Sequence, residues 1–507
     1  MPRAEGREAD WLMTLLGAMW LGLFPLWQDG SYTRITRAKW LGMLSFSAVT
    51  AVTVFAVVVI LLIRRQGRKL RFHPIQGVAV AYLLWVALSA RFGSFANSVN
   101  DSGQLAVLMG ARRYEGLVAQ SVYVGLFLLM SLYPVRLRAV MNAAAMGMLI
   151  YGAITALQYA GRNPFDLFPA NLSLRTNYEF QGTIGNIDMV SGYLCLVVPT
   201  LLLSFAMGKT GILCLAAGIV GVLMQLLMQV QSGLITMAAG LGALAALMLT
   251  RPEIRARGGL VLACALAVVS LRLLIALPWH EGTEEVLFPY AVSVWKIAPL
   301  LLAAVVLLVS FRIRRAVPGR WVLLLFALVA AAGLAAILLG TFPEGSAPWE
   351  LGEVLRGRGQ DAFGSERLGI WRMTLEMARK NPLFGTGPDT FWYAMAQHQA
   401  DTAQSLMQRF DNPHNMLLAV LSGSGVPALI LYLALMGMAA IRCLRGSRED
   451  PWLLALLIGL AAYQAQGMFT FSVCLVSPMF WVALGMTMAR REEDHDAHEF
   501  GAAPTGG

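Results

Sequence analysis

Charged residues are scarce in this chain. Of its 507 residues 13% are charged, whereas 57% are hydrophobic. This balance excludes a soluble globular protein, because such proteins carry about 25% charged residues. Lipid must therefore surround much of the chain. Apolar runs of about 20 residues recur along it, and a helix of that length crosses the hydrocarbon layer with all its backbone hydrogen bonds satisfied.

Cysteine is also rare, and paired cysteine spacing is absent. The segment 11–27 lacks a clear small-residue cleavage site, so we interpret it as a retained helix and not as a secretory peptide. The formal net charge of +10 does not indicate nucleic-acid binding, because most of the charge lies in short connectors. The cysteines fall in or beside apolar segments, which favours packing over disulfide or metal roles: they are Cys195, Cys214, Cys264, Cys443 and Cys474.

About fourteen apolar segments predict an all-α fold, a polytopic transmembrane bundle of about 12–14 helices with an extracytoplasmic helical loop domain. We divide the chain into a bundle of about eleven helices (1–340), a large loop (341–413), C-terminal transmembrane helices (414–490) and a disordered cytoplasmic tail (491–507). The apolar segments are 11–27, 41–63, 75–91, 117–133, 139–160, 189–207, 211–229, 232–249, 258–277, 290–311, 321–341, 414–441, 452–470 and 473–489.

The basic connectors predict the orientation of the bundle. Lysine and arginine are retained in short cytoplasmic connectors. With the N-terminus inside, nearly every inner connector is basic, and the acidic stretch 279–285 lies outside. The long loop then also lies outside. Its residues 370–378 show helical spacing of apolar positions, and Asn381-Pro382 marks a stop, so we expect a small helical cap over the bundle.

Several arginines lie on the predicted outer side, although positive charge is usually retained on the cytoplasmic side. A guanidinium keeps its charge and presents a planar fork of donors, so arginines that converge from separate loops would suit a pyrophosphate. Solvated or salt-bridged surface residues are the alternative, with Glu366 or Glu376 as partners. The arginines are Arg112, Arg113 and Arg175, with Arg356, Arg358, Arg367, Arg372, Arg379 and Arg409 in the long loop.

His414 follows Asp411-Asn412-Pro413 at the outer start of the twelfth apolar segment. A neutral imidazole there would take a proton from a sugar hydroxyl; a structural helix cap is the alternative. His398 is expected in solvent. The carboxylates Asp389, Asp401 and Asp411 are scattered, without metal-ligand spacing, so we expect a metal-independent reaction without a cofactor.

The strings RLGIWRMTLEMARKNPLFGTGPDTF and DNPHNMLLAVLSGSG resemble the carboxy-terminal signature of the O-antigen ligase and polymerase superfamily. The resemblance covers about 60 contiguous residues, and elsewhere it rests on hydropathy and on short pieces such as GTIGN, which ends at Asn186. The matching positions are Arg367, Trp371, Pro382, Leu383, Phe384, Gly385, Gly387, Pro388, His414, Asn415 and Gly425.

The resemblance implies a metal-independent, inverting glycosyltransferase at the outer face of the bacterial cytoplasmic membrane. Its donor would be an undecaprenyl-pyrophosphate-linked glycan and its acceptor a hydroxyl-bearing glycan, lipid or protein. His414 would be the base, and Arg367, with Arg372 close by, would contact the pyrophosphate. Asn415 would also contact substrate.

Two departures from the family pattern bear on the site. Many members have a Ser-Arg pair at the outer start of a middle helix, but here Ser232 precedes Gly233, which moves that role to Arg175 or Arg113. The glycine expected three residues after Gly425 is alanine.

Other classes of function remain open at this point. The sequence does not separate a ligase from a polymerase. A transporter or lipid flippase would have charged or broken helices near the bilayer midplane and often internal repeats. No convincing repeat is present, and the polar residues concentrate at the outer face, so we favour the enzyme. A membrane scaffold would give no reason for His414 and the arginines.

Overall fold

The computed structural model describes residues 7–63, 72–168, 180–274, 294–312, 315–402 and 410–489. Within these ranges the chain is mainly helical. Its two short strands, β1 (Phe180–Gln181) and β2 (Gly185–Asn186), form one antiparallel pair. The predicted all-α fold is confirmed.

A π-helical turn at Met19–Leu23 and a 3₁₀ turn at Phe24–Leu26 extend the first helix. Within the described ranges the α-helices in chain order are α1 (Arg7–Ala18), α2 (Ile35–Ile63), α3 (Pro74–Phe92), α4 (Ala106–Met109), α5 (Leu117–Leu132), α6 (Leu137–Tyr159), α7 (Ile187–Ala206), α8 (Ile212–Met228), α9 (Gln231–Thr250), α10 (Arg255–Leu274), α11 (Val294–Arg312), α12 (Gly319–Leu339), α13 (Ala347–Leu355), α14 (Arg367–Lys380), α15 (Phe391–Thr402), α16 (Met416–Gly446), α17 (Pro451–Gly467) and α18 (Ser477–Met486).

Eight helical segments of the described chain are long and apolar enough to cross a membrane, namely those containing α2, α3, α6, α7, α9, α10, α12 and α16. Shorter apolar helices include α5, α8 and α18. Each of the fourteen predicted apolar segments overlaps one of the helices. The chain is therefore a multi-pass membrane protein.

Helix α7 lies at the centre of the bundle, packed against α8 and α17. From Met189 to Ala206 it is buried on every side, as expected of a helical segment without a polar face. Small residues let its neighbours approach closely: a Cβ at Gly459 of α17 would collide with Thr200 of α7. By contrast, α12 leaves almost all of its apolar surface exposed, which suits contact with lipid.

A tight turn between β1 and β2 leads into α7 and accounts for the GTIGN string. Gly182 adopts φ = 56°, and its carbonyl accepts a hydrogen bond from the Tyr32 hydroxyl (2.7 Å). The Gly182 amide donates to Gln158 Oε1 (2.7 Å), and the Tyr151 hydroxyl donates to the carbonyl of Gln181 (2.8 Å). These bonds satisfy backbone groups that lipid would otherwise leave unpaired.

The loop at 341–413 contains α13, α14 and α15. Helices α14 and α15 share a small apolar cluster that includes Ile370, Met373, Phe391 and Met395. This cluster gives the loop a core of its own beside the main core of the bundle. Four of the five cysteines are buried, and all five are free thiols.

The orientation can be tested with single cysteines in a background without the native ones. Ala362 in the loop and Glu449 between α16 and α17 are both exposed. If the basic connectors face the cytoplasm, Ala362→Cys reacts with a membrane-impermeant maleimide in intact cells, whereas Glu449→Cys reacts only after permeabilisation. The opposite pattern would invert the topology and move the loop to the cytoplasmic side.

Candidate functional site

The turn that follows α14 is joined to α16 through backbone hydrogen bonds. The amides of Thr386 and Gly387 donate to the carbonyls of Ser422 (2.8 Å) and Gly423 (2.9 Å). Gly385 has φ = 63°, and a Cβ at this position would lie 2.5 Å from the Ser422 carbonyl oxygen. Glycine is thus required both for the backbone conformation and for the close approach.

Helix α16 is interrupted where this turn meets it. Gly425 leaves the helical region with φ = 80° and ψ = 178°. The Val426 amide then donates to the carbonyl of Pro382 (2.8 Å) and not to its own helix. A Cβ at Gly425 would collide with the carbonyl of Leu383. The glycines of the two matching strings therefore hold the loop helices against the bundle.

His414 lies just before α16, in the left-handed region with φ = 48°. Its amide donates to Asn412 Oδ1 (2.9 Å), which stabilises this turn. The imidazole lies edge-to-face between Phe410 (5.8 Å between centroids) and Phe471 (5.4 Å). Its Nδ1 is buried without a hydrogen-bond partner among the described residues. A half-buried ring with an unused nitrogen suits a group that contacts a ligand.

The surroundings of His414 favour the neutral imidazole. Burial, and after it the positive charge of Arg367, lowers the pKa of His414 to about 4; Arg113 acts in the same direction, and Asp411 opposes them. The ring is therefore neutral at physiological pH. A neutral imidazole accepts a proton, so the residue is in the protonation state that a base requires.

Two contacts fix the backbone on either side of His414. The indole Nε1 of Trp371 in α14 donates to the carbonyl of Pro413 (3.0 Å). The Asn415 side-chain oxygen caps α16 by accepting from two amides of its first turn (3.0 and 3.1 Å). Asn415 thus has a structural function in addition to the predicted contact with substrate.

Arg113 approaches His414 from the segment that precedes α5. Its guanidinium forms a two-pronged ion pair with Asp411, with Nε 2.6 Å from Oδ2 and Nη2 3.1 Å from Oδ1. It also lies over the ring of Phe471 at 4.9 Å, so this ring contacts both Arg113 and His414. The Arg113 side chain remains 36% exposed, which leaves donors free to face the cleft.

A second carboxylate holds the Arg113 backbone. Asp389 Oδ2 accepts from the amides of Arg113 (3.3 Å) and Glu115 (3.1 Å). Burial raises the pKa of Asp389 to about 7, and the Asp411 carboxylate adds to the rise. Burial likewise raises the pKa of Glu115 to about 8, with Asp389 contributing, although the Tyr123 hydroxyl donates to the Glu115 carboxyl.

Arg367 and Arg372 differ in their surroundings. Arg367 begins α14, and its Nη1 donates to the carbonyl of Gly364 (2.9 Å). Its Nε is buried and lacks a hydrogen-bond partner within the described part of the chain. Arg372 is more exposed and pairs with Asp361. Of the two, Arg367 has the more clearly unused donor for an anion.

The remaining positions are two arginines and the glycine at the position where the family pattern has arginine. Arg175 and Arg409 lie outside the described residues. Gly233, where many family members have arginine, packs so closely against Ser191 and Gln225 that even a Cβ would collide with both side chains. A larger side chain at that position would require Ser191 and Gln225 to move.

Two expectations from the sequence were wrong. His398 is not in solvent: it is 4% exposed, and its Nε2 lies 3.1 Å from Glu376 Oε2. Asp389 and Asp411 are not scattered, because both contact Arg113. Glu115 was not among the predicted site residues, although it stands two residues after Arg113.

A cavity extends inward from the Arg113–Asp411 pair between α3, α5, α16 and α18. It has about 100 Å³ that water-sized molecules can occupy, several times the roughly 10–15 Å³ that one water needs. Among the described residues no group of three or more histidine, cysteine, aspartate or glutamate side chains is arranged to hold a metal ion.

The fold and this site define a helical, multi-pass membrane protein in which an imidazole and arginines from separate loops converge at one end of the bundle. A family model described as O-antigen ligase matches residues 291–433, a range that includes α14, the turn after it and His414. The resemblance to the O-antigen ligase and polymerase superfamily is thereby confirmed. No curated protein matches the chain.

The glycine at the break in α16 provides a stability test. Gly425→Ala should lower the melting temperature and the yield of folded protein, because its Cβ collides with the Leu383 carbonyl and its φ is positive. Gly437→Ala in the same helix is the matched control: nothing lies within 4 Å of its Cβ, so stability should be unchanged or slightly higher. Equal melting temperatures for both variants would contradict the proposed docking.

Proposed function

We propose that this protein is a membrane glycosyltransferase of the O-antigen ligase or polymerase type. It transfers an undecaprenyl-pyrophosphate-linked glycan to a hydroxyl-bearing acceptor at the outer face of the cytoplasmic membrane. The observation that supports this most directly is the convergence of a neutral imidazole, His414, with the guanidinium groups of Arg113 and Arg367. The family match, which includes His414 and Arg367 but not Arg113, supports glycosyltransferase activity in general terms.

In the proposed reaction His414 acts on the acceptor. An alcohol is a poor nucleophile until its proton is being removed, and a positioned base contributes about 10²–10⁴-fold to the rate. The acceptor oxygen forms a bond to the anomeric carbon of the donor sugar while the bond from that carbon to the phosphate oxygen breaks. The hydroxyl proton moves to the imidazole, and the lipid pyrophosphate leaves with the bonding electron pair.

The arginines stabilise the leaving group. Negative charge develops on the pyrophosphate as the glycosidic bond breaks, and guanidinium donors already in place lower the energy of that state. Arg367 has an unused Nε for this purpose, and Arg113 approaches from the opposite loop. Arg372 would contribute an outer contact, weaker because Asp361 already pairs with it. Asn415 would contact substrate in addition to capping α16. For Arg175 we propose the same role, a contact with substrate, from the sequence alone.

Replacing His414 tests the base directly. His414→Ala should retain expression and donor binding while transfer falls by about 10²–10⁴-fold. His414→Gln should do no better, because an amide forms hydrogen bonds but does not take up a proton at neutral pH. Transfer from a purified lipid-pyrophosphate glycan is the measurement. Near-normal turnover with Gln would limit His414 to orienting the acceptor, and near-normal turnover with Ala would remove it from the site.

The charge of Arg367 should be visible in the pH dependence of transfer. Neutral His414 is the active form, and because its pKa is about 4, kcat/KM should fall only as the pH drops towards 4. Arg367→Gln removes a positive charge that lowers this pKa, so the acid limb should move to higher pH while the rate falls. Arg367→Lys should return the acid limb of the pH profile to its wild-type position. It should restore only part of the transfer rate, since an ammonium lacks the planar fork of donors.

Arg379→Gln is the control for this experiment, because Arg379 is an exposed arginine in the last turn of the same helix. Its pH profile should match that of the wild type. An unshifted acid limb in Arg367→Gln, or the same shift in Arg379→Gln, would contradict the proposed coupling between Arg367 and His414.

A further inference from the structure

The cavity beside Arg113 contains side chains that the proposed transfer chemistry does not use. Its inner end is lined by Tyr82, Tyr432 and Trp481, each at most 4% exposed. The Tyr82 ring lies 5.9 Å from that of Tyr432 and 6.3 Å from that of Trp481, the latter in a stacked arrangement. The outer end, at Arg113, is far more exposed. The cavity is thus a cleft with an aromatic inner wall.

A band of hydrogen-bonding groups runs along the same cavity. The Tyr82 hydroxyl donates to Gln120 Oε1 (3.1 Å), and Gln120 Nε2 donates to Glu115 Oε2 (3.4 Å). Ser472 Oγ also donates to Glu115 Oε2 (3.2 Å) and lies 2.7 Å from Ser477 Oγ. All five residues line the cavity. They come from α3, the segment before α5, α5 itself, the loop before α18 and α18, so the band is assembled by the tertiary fold.

The hydroxyl and carboxyl groups of this band can both donate and accept hydrogen bonds. A hydroxyl both donates and accepts, and Glu115, with its pKa raised to about 8 by burial, carries a proton at neutral pH and does the same. A ligand that presents hydroxyls along its edge would find partners of either kind. A lipid chain in the cavity would use none of the donor and acceptor capacity that remains beyond the bonds within the band.

We propose that this cavity binds one pyranose ring of a substrate glycan, with the aromatic side chains against the apolar C–H face of the ring and the polar band, centred on Glu115, against its hydroxyls. The proposal rests on the proposed function, because it assigns a subsite to the same cleft. The ring belongs either to the acceptor or to the first sugar of the donor, and both present the same chemistry. Glu115 is then a residue that determines specificity for the sugar.

Saturation-transfer NMR on the purified full-length protein in nanodiscs tests the subsite without turnover. The probes are methyl glycosides of glucose, galactose, mannose and N-acetylglucosamine. At least one should receive saturation at its ring C–H protons. Glu115→Leu should weaken its apparent affinity about tenfold, because hydroxyl partners are left unpaired. Glu115→Gln keeps a donor and an acceptor and should weaken it less.

A second variant covers the case in which Glu115→Leu fails to fold. Ala419 on α16 is partly buried and lines the cavity, so Ala419→Phe places an aromatic ring in it. This variant should abolish saturation transfer. Glu449→Leu, an exposed carboxylate between α16 and α17, is the control and should bind the glycoside as the wild type does. Melting temperatures show which variants are folded.

The steady-state KM values identify the source of the ring. A rise in the acceptor KM for Ala419→Phe assigns the cavity to the acceptor, and a rise in the donor KM assigns it to the donor sugar. The proposal is overturned if no glycoside receives saturation from the wild type, or if the signal is the same in Ala419→Phe. If the wild type binds a glycoside in the cavity but performs no transfer, the proposed function is refuted while the sugar subsite is supported.

Discussion

Backbone pairing between the turn at residues 382–387 and the interrupted part of α16 joins the loop helices to the membrane bundle. The bond of Thr386 to Ser422 replaces the one that Val426 would make in a regular helix, because the break at Gly425 turns the Val426 amide to Pro382. The carbonyl of Gly423 is free for Gly387 because Pro427, four residues further on, has no N–H. This exchange requires residues without a Cβ on both sides, since the two backbones come into direct contact. The position of α14, and with it Arg367, depends on this junction.

The electrostatic character of the site follows from that geometry. The loop brings Arg367 towards His414 on one side, and the segment before α5 brings Arg113 on the other. Burial, and after it the two arginines, lowers the pKa of the imidazole and keeps it neutral. Asp411 and Asp389 restrain Arg113 through its side chain and its backbone amide. In the proposed reaction the arginines therefore have two effects, because they would bind the anionic donor and they add to the effect of burial on His414.

The transmembrane helices could be predicted from the sequence because lipid imposes a local constraint, about 20 apolar residues in succession. His414 and the glycines could also be recognised, because they lie in two short strings with their context. The pairing of Arg113 with Asp411 spans 298 positions, and neither spacing nor composition carries information about such a contact. The same holds for the band from Tyr82 to Ser477, whose members come from separate helices that meet only in the fold.

The burial of His398 also could not be predicted from the sequence. Its neighbours in sequence are polar, which indicated solvent, but α15 turns this residue towards Glu376 of α14. Local composition describes the segment as a whole, whereas burial depends on the face of the helix that meets a partner. The close packing of Gly233 against Ser191 likewise depends on the contact between two helices, which the sequence alone does not show.

The central claim is that a glycosidic bond is formed at this site, and not that a lipid-linked glycan is carried across the membrane. The most direct measurement is product analysis in proteoliposomes that contain the purified protein, a lipid-pyrophosphate-linked glycan and a hydroxyl-bearing acceptor. The account predicts one lipid pyrophosphate released for each new glycosidic bond, with inversion at the anomeric carbon. Appearance of the intact donor in the opposite leaflet, with no lipid pyrophosphate released and no new bond, would contradict it.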